Sequence, residues 1–265
     1  MKKFLVIGNP IKHSLSPILH NYWFKQCNID AVYEKKLLVE KDLKNIIDEV
    51  RNDKISGINV TVPFKKSIIP FLDKLSIEAK KTQSVNTISK INNEIYGHNT
   101  DVRGFEHSLS QLNFKTKKKK AFVIGAGGVT PSIIWALEGL EVLKIFVSNR
   151  TKQKAEELKK LFPKIEILDW GKKPKEFDIV VNTTSVGLND NEKIELDFSD
   201  CKEKLFYDVI YNPSQTKFLK EAGKNFNNKT KNGLGMFIYQ AQESFKIWNG
   251  VAPEVDEKIY TILSK

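Results

Sequence analysis

Cysteine is scarce in this chain, and its scarcity excludes several kinds of site. Cys27 and Cys201 are the only two in 265 residues, and no CxxC spacing exists. Zinc knuckles and redox thiol pairs need closely spaced cysteines, and a disulfide framework needs more cysteines than two. The sequence therefore predicts no metal site, and we expect two buried free thiols in a reducing compartment.

Long hydrophobic runs are also lacking. The first apolar stretch, Phe4-Leu5-Val6-Ile7-Gly8, is too short for a signal peptide or a membrane span, and no later one reaches the necessary length. We expect a cytoplasmic protein without a membrane partner.

Arginine is the third scarcity, because 40 of the 43 basic residues are lysine. The formal net charge of +11 raises the question of a nucleic-acid partner. Base and phosphate recognition favours Arg, however, and the lysine run Lys117–Lys120 has no interleaved aromatic residue. We interpret the charge as a solvated lysine surface that attracts small anions weakly, with no nucleic acid as partner.

The composition, 40% hydrophobic and 28% charged, indicates a folded protein with a sizeable core. Short apolar runs alternate with helical patterns, which predicts an α/β protein with mostly parallel sheets. In the first part of the chain we expect strands at 4–8, 31–38 and 57–60, helices at 16–27 and 41–51, and a hairpin of 86–89 with 94–96. Ser16 is read as the N-cap of the first helix and Pro17 as its first residue.

A second unit follows the lysine run. We expect strands at 121–124, 144–148, 165–168, 177–181 and 205–210, the last clear strand, with helices between them and a helix at 151–162. This is the pattern of a doubly wound, Rossmann-type nucleotide-binding domain. We place the domains at 1–101, 102–235 and 236–265, and expect the C-terminal helices, through Trp248 and after Pro253, to pack back on the first domain.

A glycine turn stands where a dinucleotide fold requires one. Gly125-Ala126-Gly127-Gly128 joins a buried strand to a helix, so its backbone amides can approach a pyrophosphate at the helix N-terminus. Thr130 occupies the third glycine position of the usual pattern, and an ordinary glycine loop is the alternative reading.

The end of the next strand favours NADP over NAD. An NAD site would have a carboxylate there for the ribose 2′-hydroxyl. This chain has Asn149-Arg150-Thr151, with Lys154 one turn later. Arg150 can stack on adenine and pair with a 2′-phosphate, and Thr151 and Lys154 add donors. Ordinary surface charge at a helix start is the alternative.

Polar residues also gather at the strand ends of the first domain. Ser14 and Ser16 follow the first strand, Thr61 and Lys65 follow the third, and Asn86 and Asp101 come later. Ligands of parallel sheets bind outside the carboxyl ends of the strands, so one cleft is expected. Taken singly, Ser16 could be a helix cap, Asn86 a turn former and Asp101 an N-cap.

The motifs together resemble the shikimate dehydrogenase family over essentially the whole chain. They are, in family order, Gly8-Asn9-Pro10-Ile11-Lys12-His13-Ser14-Leu15-Ser16-Pro17, Asn59-Val60-Thr61-Val62-Pro63-Phe64-Lys65, Val85-Asn86-Thr87, Gly97-His98-Asn99-Thr100-Asp101, Asn149-Arg150-Thr151, Asn182-Thr183-Thr184-Ser185, Tyr207-Asp208-Val209-Ile210-Tyr211-Asn212-Pro213 and Gln240-Ala241 to Trp248-Asn249-Gly250. The resemblance implies NADPH-dependent, reversible reduction of 3-dehydroshikimate to shikimate, a step towards chorismate and the aromatic amino acids. It also implies a substrate domain at 1–101 and an NADP domain at 102–235.

The resemblance further implies roles for single residues. Lys65 would be a positioned cation and proton donor, oriented by Asp101, which also binds a substrate hydroxyl. Ser14, Ser16 and Tyr211 would hold the substrate carboxylate, and Thr61, Asn86 and Gln240 its hydroxyls. The residues implied at the cofactor are Gly125, Ala126, Gly127, Gly128, Val129, Asn149, Arg150, Thr151, Lys154 and, near the nicotinamide, Val209 and Gly233. His13 is expected to be structural.

Three alternatives stay open at this stage. A quinate/shikimate dehydrogenase using NAD is the nearest, a non-catalytic NADPH-binding relative is the second, and nucleic-acid binding is the third. The sequence leaves both a monomer and a homodimer possible.

Overall fold

The computed structural model describes residues 1–189, 192–225 and 227–263. They form two compact units, one of Met1–Gly104 with the C-terminal stretch from Ile238, and one of Phe105–Phe237. The boundaries fall within two helices, Asp101–Ser110 and Leu234–Asn249. The boundaries predicted at Asp101 and Gly235 lie near the starts of these helices.

The first unit contains a mixed sheet. Its strands are β1 Lys2–Gly8, β2 Ala31–Leu37, β3 Gly57–Val60, β4 Lys74–Leu75, β5 Thr87–Ile91 and β6 Glu94–His98. They lie in the order β2-β1-β3-β5-β6-β4. β1 is parallel to both β2 and β3, whereas β3 with β5 and β5 with β6 are antiparallel. The predicted hairpin around Asn92 and Asn93 is confirmed, and both turn residues have positive φ.

The helices of the first unit are α1 Ser16–Gln26, α2 Leu43–Arg51, α3 Ile77–Thr82, the start of α4 Asp101–Ser110, most of α8 Leu234–Asn249, and α9 Glu257–Leu263. The reading of Ser16 as the N-cap of α1 is wrong. Leu15 is the cap position, no side chain caps the helix, and Ser16 is its first residue. The helix predicted from Lys41 begins instead as a 3₁₀ turn, Glu40–Asp42.

The core of the first unit has an aliphatic and an aromatic part. Aliphatic side chains of β1, α2, β3 and β5 pack together on one side, among them Ile7, Ile46 and Ile58. Aromatic side chains of α1 and α8 pack against those of β1 and β2. They are Phe4, His20, Trp23, Phe24, Tyr33, Phe245 and Trp248. The C-terminal helices therefore pack on the first unit.

The second unit contains a fully parallel doubly wound sheet. Its strands are β7 Lys120–Ile124, β8 Lys144–Ser148, β9 Glu166–Leu168, β10 Ile179–Asn182, β11 Leu205–Asp208 and β12 Lys229–Lys231. Across the sheet the order is β9-β8-β7-β10-β11-β12. Successive strands are therefore added on one side of β7 up to β9 and on its other side from β10 onward. This is the Rossmann arrangement, in which the switch point lies at the end of the first strand. The helices α5 Thr130–Gly139, α6 Lys152–Leu161 and α7 Lys217–Gly223 complete the unit.

The elements that the sequence did not predict are short. They are β4, α3, α7 and β12, the last of which extends the sheet beyond the strand predicted to be final.

The expectation of two buried thiols needs a correction. Both thiols are free, but only Cys201 is buried, because Cys27 caps the C-terminus of α1 and is half-buried. Within the described residues no helix is long and apolar enough to cross a membrane.

Candidate active site

The centre of the candidate site is an ion pair between Lys65 and Asp101. Lys65 Nζ lies 2.5 Å from Asp101 Oδ2, and the two side chains are only 13% and 7% exposed. Lys65 follows β3 in a loop whose carbonyl at position 65 accepts a hydrogen bond from Val85 N at 2.8 Å. Asp101 is the first residue of α4 rather than its N-cap, so that alternative is wrong. Because the pair is poorly exposed to solvent, salt screens the attraction between its charges less than that of a surface pair.

Asn86 ties this pair to the rest of the site. Its Nδ2 donates to Asp101 Oδ1 at 3.0 Å and lies 3.3 Å from Gln240 Oε1. The backbone amide of Thr100 donates to Asn86 Oδ1 at 2.8 Å, which fixes the orientation of the side-chain amide. Asn86 is buried directly before β5, so its reading as a turn former is wrong. Lys65, Asp101, Asn86 and Gln240 are thus in one connected group.

The two predicted serines lie at the same edge of the sheet. Ser14 Oγ donates to Ser16 Oγ at 3.3 Å and accepts from Ser16 N at 3.3 Å. They follow β1, whereas Thr61 and Lys65 follow β3, and these neighbouring strands run parallel. Their carboxyl ends therefore meet at one edge. Two hydroxyls and an ammonium at that edge suit an anionic, hydroxylated ligand.

Thr61 has a defined place at the end of β3. Its amide donates to Ile7 O at 2.9 Å. A Cβ on Gly8 would lie 2.5 Å from Thr61 Cγ2, so only glycine allows this approach. His13 is exposed.

Tyr211 belongs to the second unit, whereas the other predicted substrate residues belong to the first. It stacks on Phe237 with ring centroids 4.6 Å apart, and burial raises the pKa of Tyr211 to about 12. The predicted nicotinamide residues are in direct contact with one another. A Cβ on Gly233 would overlap the carbonyl oxygen of Val209, so position 233 requires glycine.

The glycine turn forms a cradle at the start of α5. Gly125 has φ +114, and a Cβ there would lie 2.6 Å from Thr183 Oγ1. A Cβ at Gly127 would approach only Thr183 O, at 3.7 Å, and one at Gly128 would meet nothing within 4 Å. The glycines therefore leave open space beside the N-terminus of a ten-residue helix, with Val129 as its cap position. Such a cradle fits a pyrophosphate.

The tip of β8 lies beside this cradle. Asn149 Oδ1 accepts from Ala126 N at 3.0 Å, and Asn149 Nδ2 donates to Thr151 O at 2.7 Å. Asn149 therefore joins the glycine turn to the start of α6. Arg150, Thr151 and Lys154 are exposed here, so they are accessible to a phosphate. In the part of the chain that the structure describes, no group of three His, Cys, Asp or Glu could hold a metal ion.

Sequence reasoning missed several buried polar side chains around Asn86. They are Tyr33, Asn59, Thr87, Thr100 and Ser244, all linked by hydrogen bonds. Ser244 was detectable by spacing, since it lies four residues after Gln240 in a helix and so shares its face. Asn59, Thr87 and Thr100 belong to the quoted motifs but had no role assigned, and Tyr33 lies on β2, outside those motifs.

Comparison with known proteins gives matches along most of the chain. The family model of the shikimate dehydrogenase substrate-binding domain matches residues 6–88, the shikimate / quinate 5-dehydrogenase model residues 108–210, and the shikimate 5′-dehydrogenase C-terminal domain residues 233–257. A shikimate dehydrogenase (NADP(+)) of Pelagibacter ubique is 54% identical, with 99% of this chain and 98% of that protein covered. One from Caldicellulosiruptor saccharolyticus is 40% identical, with 94% and 92% covered.

Solved structures are similar over nearly the full length. Shikimate dehydrogenase of Aquifex aeolicus has a TM-score of 0.89 and 38% identity, covering 99% of this chain and 97% of that one. Shikimate 5-dehydrogenase of Thermus thermophilus, solved with NADP(H) and shikimate, has a TM-score of 0.87 and 32% identity, covering 96% and 95%.

Proposed function

Because the chain belongs to the shikimate dehydrogenase family, we propose that it catalyses the reversible, NADPH-dependent reduction of 3-dehydroshikimate to shikimate. The Lys65–Asp101 pair, joined to Asn86 and Gln240, is the observation that carries this proposal. The reaction belongs to the pathway that leads to chorismate and the aromatic amino acids.

Lys65 supplies the cation and the proton. When hydride reaches the carbonyl carbon, negative charge grows on the oxygen, and that oxygen needs a positive partner and then a proton. The Lys65 ammonium provides both, and the carbonyl becomes a secondary alcohol. Asp101 orients the ammonium through its 2.5 Å contact. Its carboxylate oxygens also accept a hydrogen bond from a substrate hydroxyl.

The neutral polar residues recognise the rest of the substrate. Ser14 and Ser16, with Tyr211, hold the carboxylate, and Thr61, Asn86 and Gln240 bind ring hydroxyls. An analogue without a hydroxyl leaves a buried partner such as Asn86 unpaired, which costs binding free energy. This set therefore discriminates by the hydroxyl pattern of the ring.

NADP is the cofactor of this reaction, and NADPH supplies the hydride when it is bound. The open cradle of Gly125, Ala126, Gly127, Gly128 and Val129 fits its pyrophosphate. We assign Asn149, Arg150, Thr151 and Lys154 to the adenosine phosphate end, and Val209 and Gly233 to the nicotinamide. Apart from Tyr211, the substrate residues would then come from the first unit, and the cofactor residues from the second.

We also propose a cytoplasmic protein whose partners are these small molecules, as a monomer or a homodimer. The free thiols of Cys27 and Cys201 support a reducing compartment. Cell fractionation and size-exclusion chromatography with light scattering test these two points.

Steady-state assays with purified protein test the activity. Shikimate with NADP should produce the absorbance of reduced nicotinamide, and quinate or NAD should give a much smaller kcat/KM. Comparable rates with quinate and NAD would instead identify the quinate/shikimate dehydrogenase alternative. NADPH binding without turnover of any of these substrates would identify the non-catalytic alternative.

A further inference from the structure

Ser244 is a buried residue of helix α8 whose hydroxyl has no role in the activity described so far. It lies on α8 four residues after Gln240, with a relative exposure of 0%. Its Oγ donates to Gln240 O at 2.9 Å. A hydroxyl bonded only to its own helix would be an ordinary buried serine, but Ser244 makes three further contacts.

These contacts connect the helix with two strands and the start of α4. Asn59 Nδ2 donates to Ser244 Oγ at 3.0 Å. Ser244 Oγ also lies 2.7 Å from Thr87 Oγ1 and 3.2 Å from Thr100 Oγ1. Asn59 is held in turn by Tyr33, whose hydroxyl donates to Asn59 Oδ1 at 2.7 Å.

Both threonine hydroxyls continue to the carbonyl oxygen of Asn86. Thr87 Oγ1 lies 3.1 Å from Asn86 Oδ1, and Thr100 Oγ1 lies 3.2 Å from the same atom. The opposite end of that amide, Nδ2, donates to Asp101 Oδ1. Ser244 is therefore separated from the Asp101 carboxylate by one threonine and one asparagine.

We propose that Ser244 is a positioning residue for the reaction. It fixes the rotamers of Thr87 and Thr100, and these hold the Asn86 amide so that Nδ2 faces Asp101 and Gln240. Without the Ser244 hydroxyl, Thr87 loses a buried partner and its hydroxyl competes for other acceptors. Asn86 Oδ1 is then held mainly by the Thr100 backbone amide, so the side chain moves more freely and the Asp101 carboxylate has a less firmly held donor. This inference rests on the proposed function.

Three substitutions test the path. Ser244→Ala should lower kcat/KM for shikimate about fivefold to tenfold, the scale of one buried hydrogen bond. Thr87→Val removes the next hydroxyl and should give a similar loss, whereas Thr87→Ser keeps the hydroxyl and should stay within about twofold of wild type. The KM for NADP should not change in any of them, because the network lies wholly in the first unit.

The double variant Ser244→Ala/Thr87→Val distinguishes a shared path from two separate defects. If Ser244 acts through Thr87, the combined loss should be close to the larger single loss. A combined loss equal to the product of the two would overturn the proposal.

Ser89→Ala is the matched control, because Ser89 is a buried serine of the same unit whose Oγ lies 3.0 Å from His98 Nε2. It should lower thermal stability without changing kcat/KM for shikimate. Equal kinetic effects of Ser244→Ala and Ser89→Ala, or an unchanged kcat/KM in Ser244→Ala, would overturn the positioning role. A wild-type protein inactive on shikimate would overturn the proposed function itself, so the two failures are distinct.

Discussion

At the scale of single residues, the titratable side chains differ in how far they are exposed to solvent. Lys65 and Asp101 form a poorly exposed pair, whereas Arg150 is exposed at a strand tip. His20 is the opposite case, an uncharged ring enclosed by aromatic side chains. Each position leads to a different measurable behaviour.

Arg150→Ala should discriminate between the two nicotinamide cofactors. Loss of a guanidinium that pairs with the 2′-phosphate should raise the KM for NADP(H) about tenfold or more and leave that for NAD(H) nearly unchanged. Lys152→Ala is the control, because Lys152 is exposed on the same segment but pairs with Asp169 at 3.2 Å. An equal effect of Arg150→Ala on both cofactors would contradict a role at the 2′-phosphate.

His20 should make the protein sensitive to acid. Its ring stacks on Tyr33 with centroids 4.3 Å apart, and neither ring nitrogen has a hydrogen-bond partner among the described residues. Burial lowers the pKa of His20 from 6.5 to about 3. Below pH 6.5 the His20 ring is therefore protonated in the unfolded chain but stays neutral in the folded chain. Stability is complete above that pH and falls as the pH decreases towards 3, with a slope approaching about 1.4 kcal/mol per pH unit.

Urea unfolding at pH 7.5 and pH 5 measures this loss. His20→Phe should reduce the difference between the two free energies of unfolding, whereas His13→Asn, at an exposed histidine, should preserve the wild-type difference. A full wild-type difference in His20→Phe would show that the acid sensitivity has another source.

At the scale of elements, helix α8 organises the first unit. Gln240, Ser244 and Trp248 follow one another at four-residue spacing and so share one face. Gln240 reaches Asn86, Ser244 reaches Thr87, and Trp248 Nε1 donates to Ile88 O at 2.9 Å. One helix face thus contacts the start of β5 at successive positions.

Gly57→Ala should loosen this contact. A Cβ on Gly57 of β3 would overlap the indole of Trp248, lying 2.7 Å from its Cδ1 and Cε2 atoms. Moving the indole strains its hydrogen bond to Ile88, so we expect a loss of about 1–3 kcal/mol in the free energy of unfolding. Gly223→Ala is the control, since the nearest atom to its Cβ would be Thr230 Cγ2 at 3.8 Å. Equal stabilities of these two variants would contradict the close packing.

The elements also show what the sequence could and could not predict. Strands such as β8 were predicted at their observed bounds, Lys144–Ser148, because a buried parallel strand is a continuous apolar run. The helices α3 and α7 were missed because each spans fewer than two turns and shows little periodicity. Their caps were the available signal, since Ser76 Oγ accepts from Ala79 N and Thr216 Oγ1 from Leu219 N.

The site was predicted unevenly for a physical reason. Motif residues such as Lys65 and Asp101 were named because they stand at strand and helix ends. Ser244 and Tyr33 were not, because their importance depends on contacts between residues far apart in the chain, such as Thr87 with Ser244. Such contacts are created by tertiary packing and leave no local pattern.

At the scale of the whole molecule, the net charge is +11, but the densest run of lysines in the sequence is offset by ion pairs with acidic side chains. In the lysine run, Lys117 pairs with Glu141, Lys119 with Asp178 and Lys120 with Glu176. Such exposed pairs contribute little to stability, yet they neutralise the most basic stretch of the sequence. The acidic partners support the view that the lysines form a solvated surface.

The central claim is that the ammonium of Lys65 stabilises the developing alkoxide and donates the proton when this molecule reduces 3-dehydroshikimate with NADPH. Shikimate oxidation by NADP passes through the same transition state in reverse, so it reports on the same residue. The decisive measurement is the kcat of Lys65→Ala, compared with wild type and with Lys66→Ala at the exposed neighbouring lysine. We predict a decrease of about two orders of magnitude or more in Lys65→Ala, a shikimate KM that changes little, and a nearly unchanged kcat in Lys66→Ala. A Lys65→Ala protein that turns over shikimate at a rate close to wild type would contradict the account.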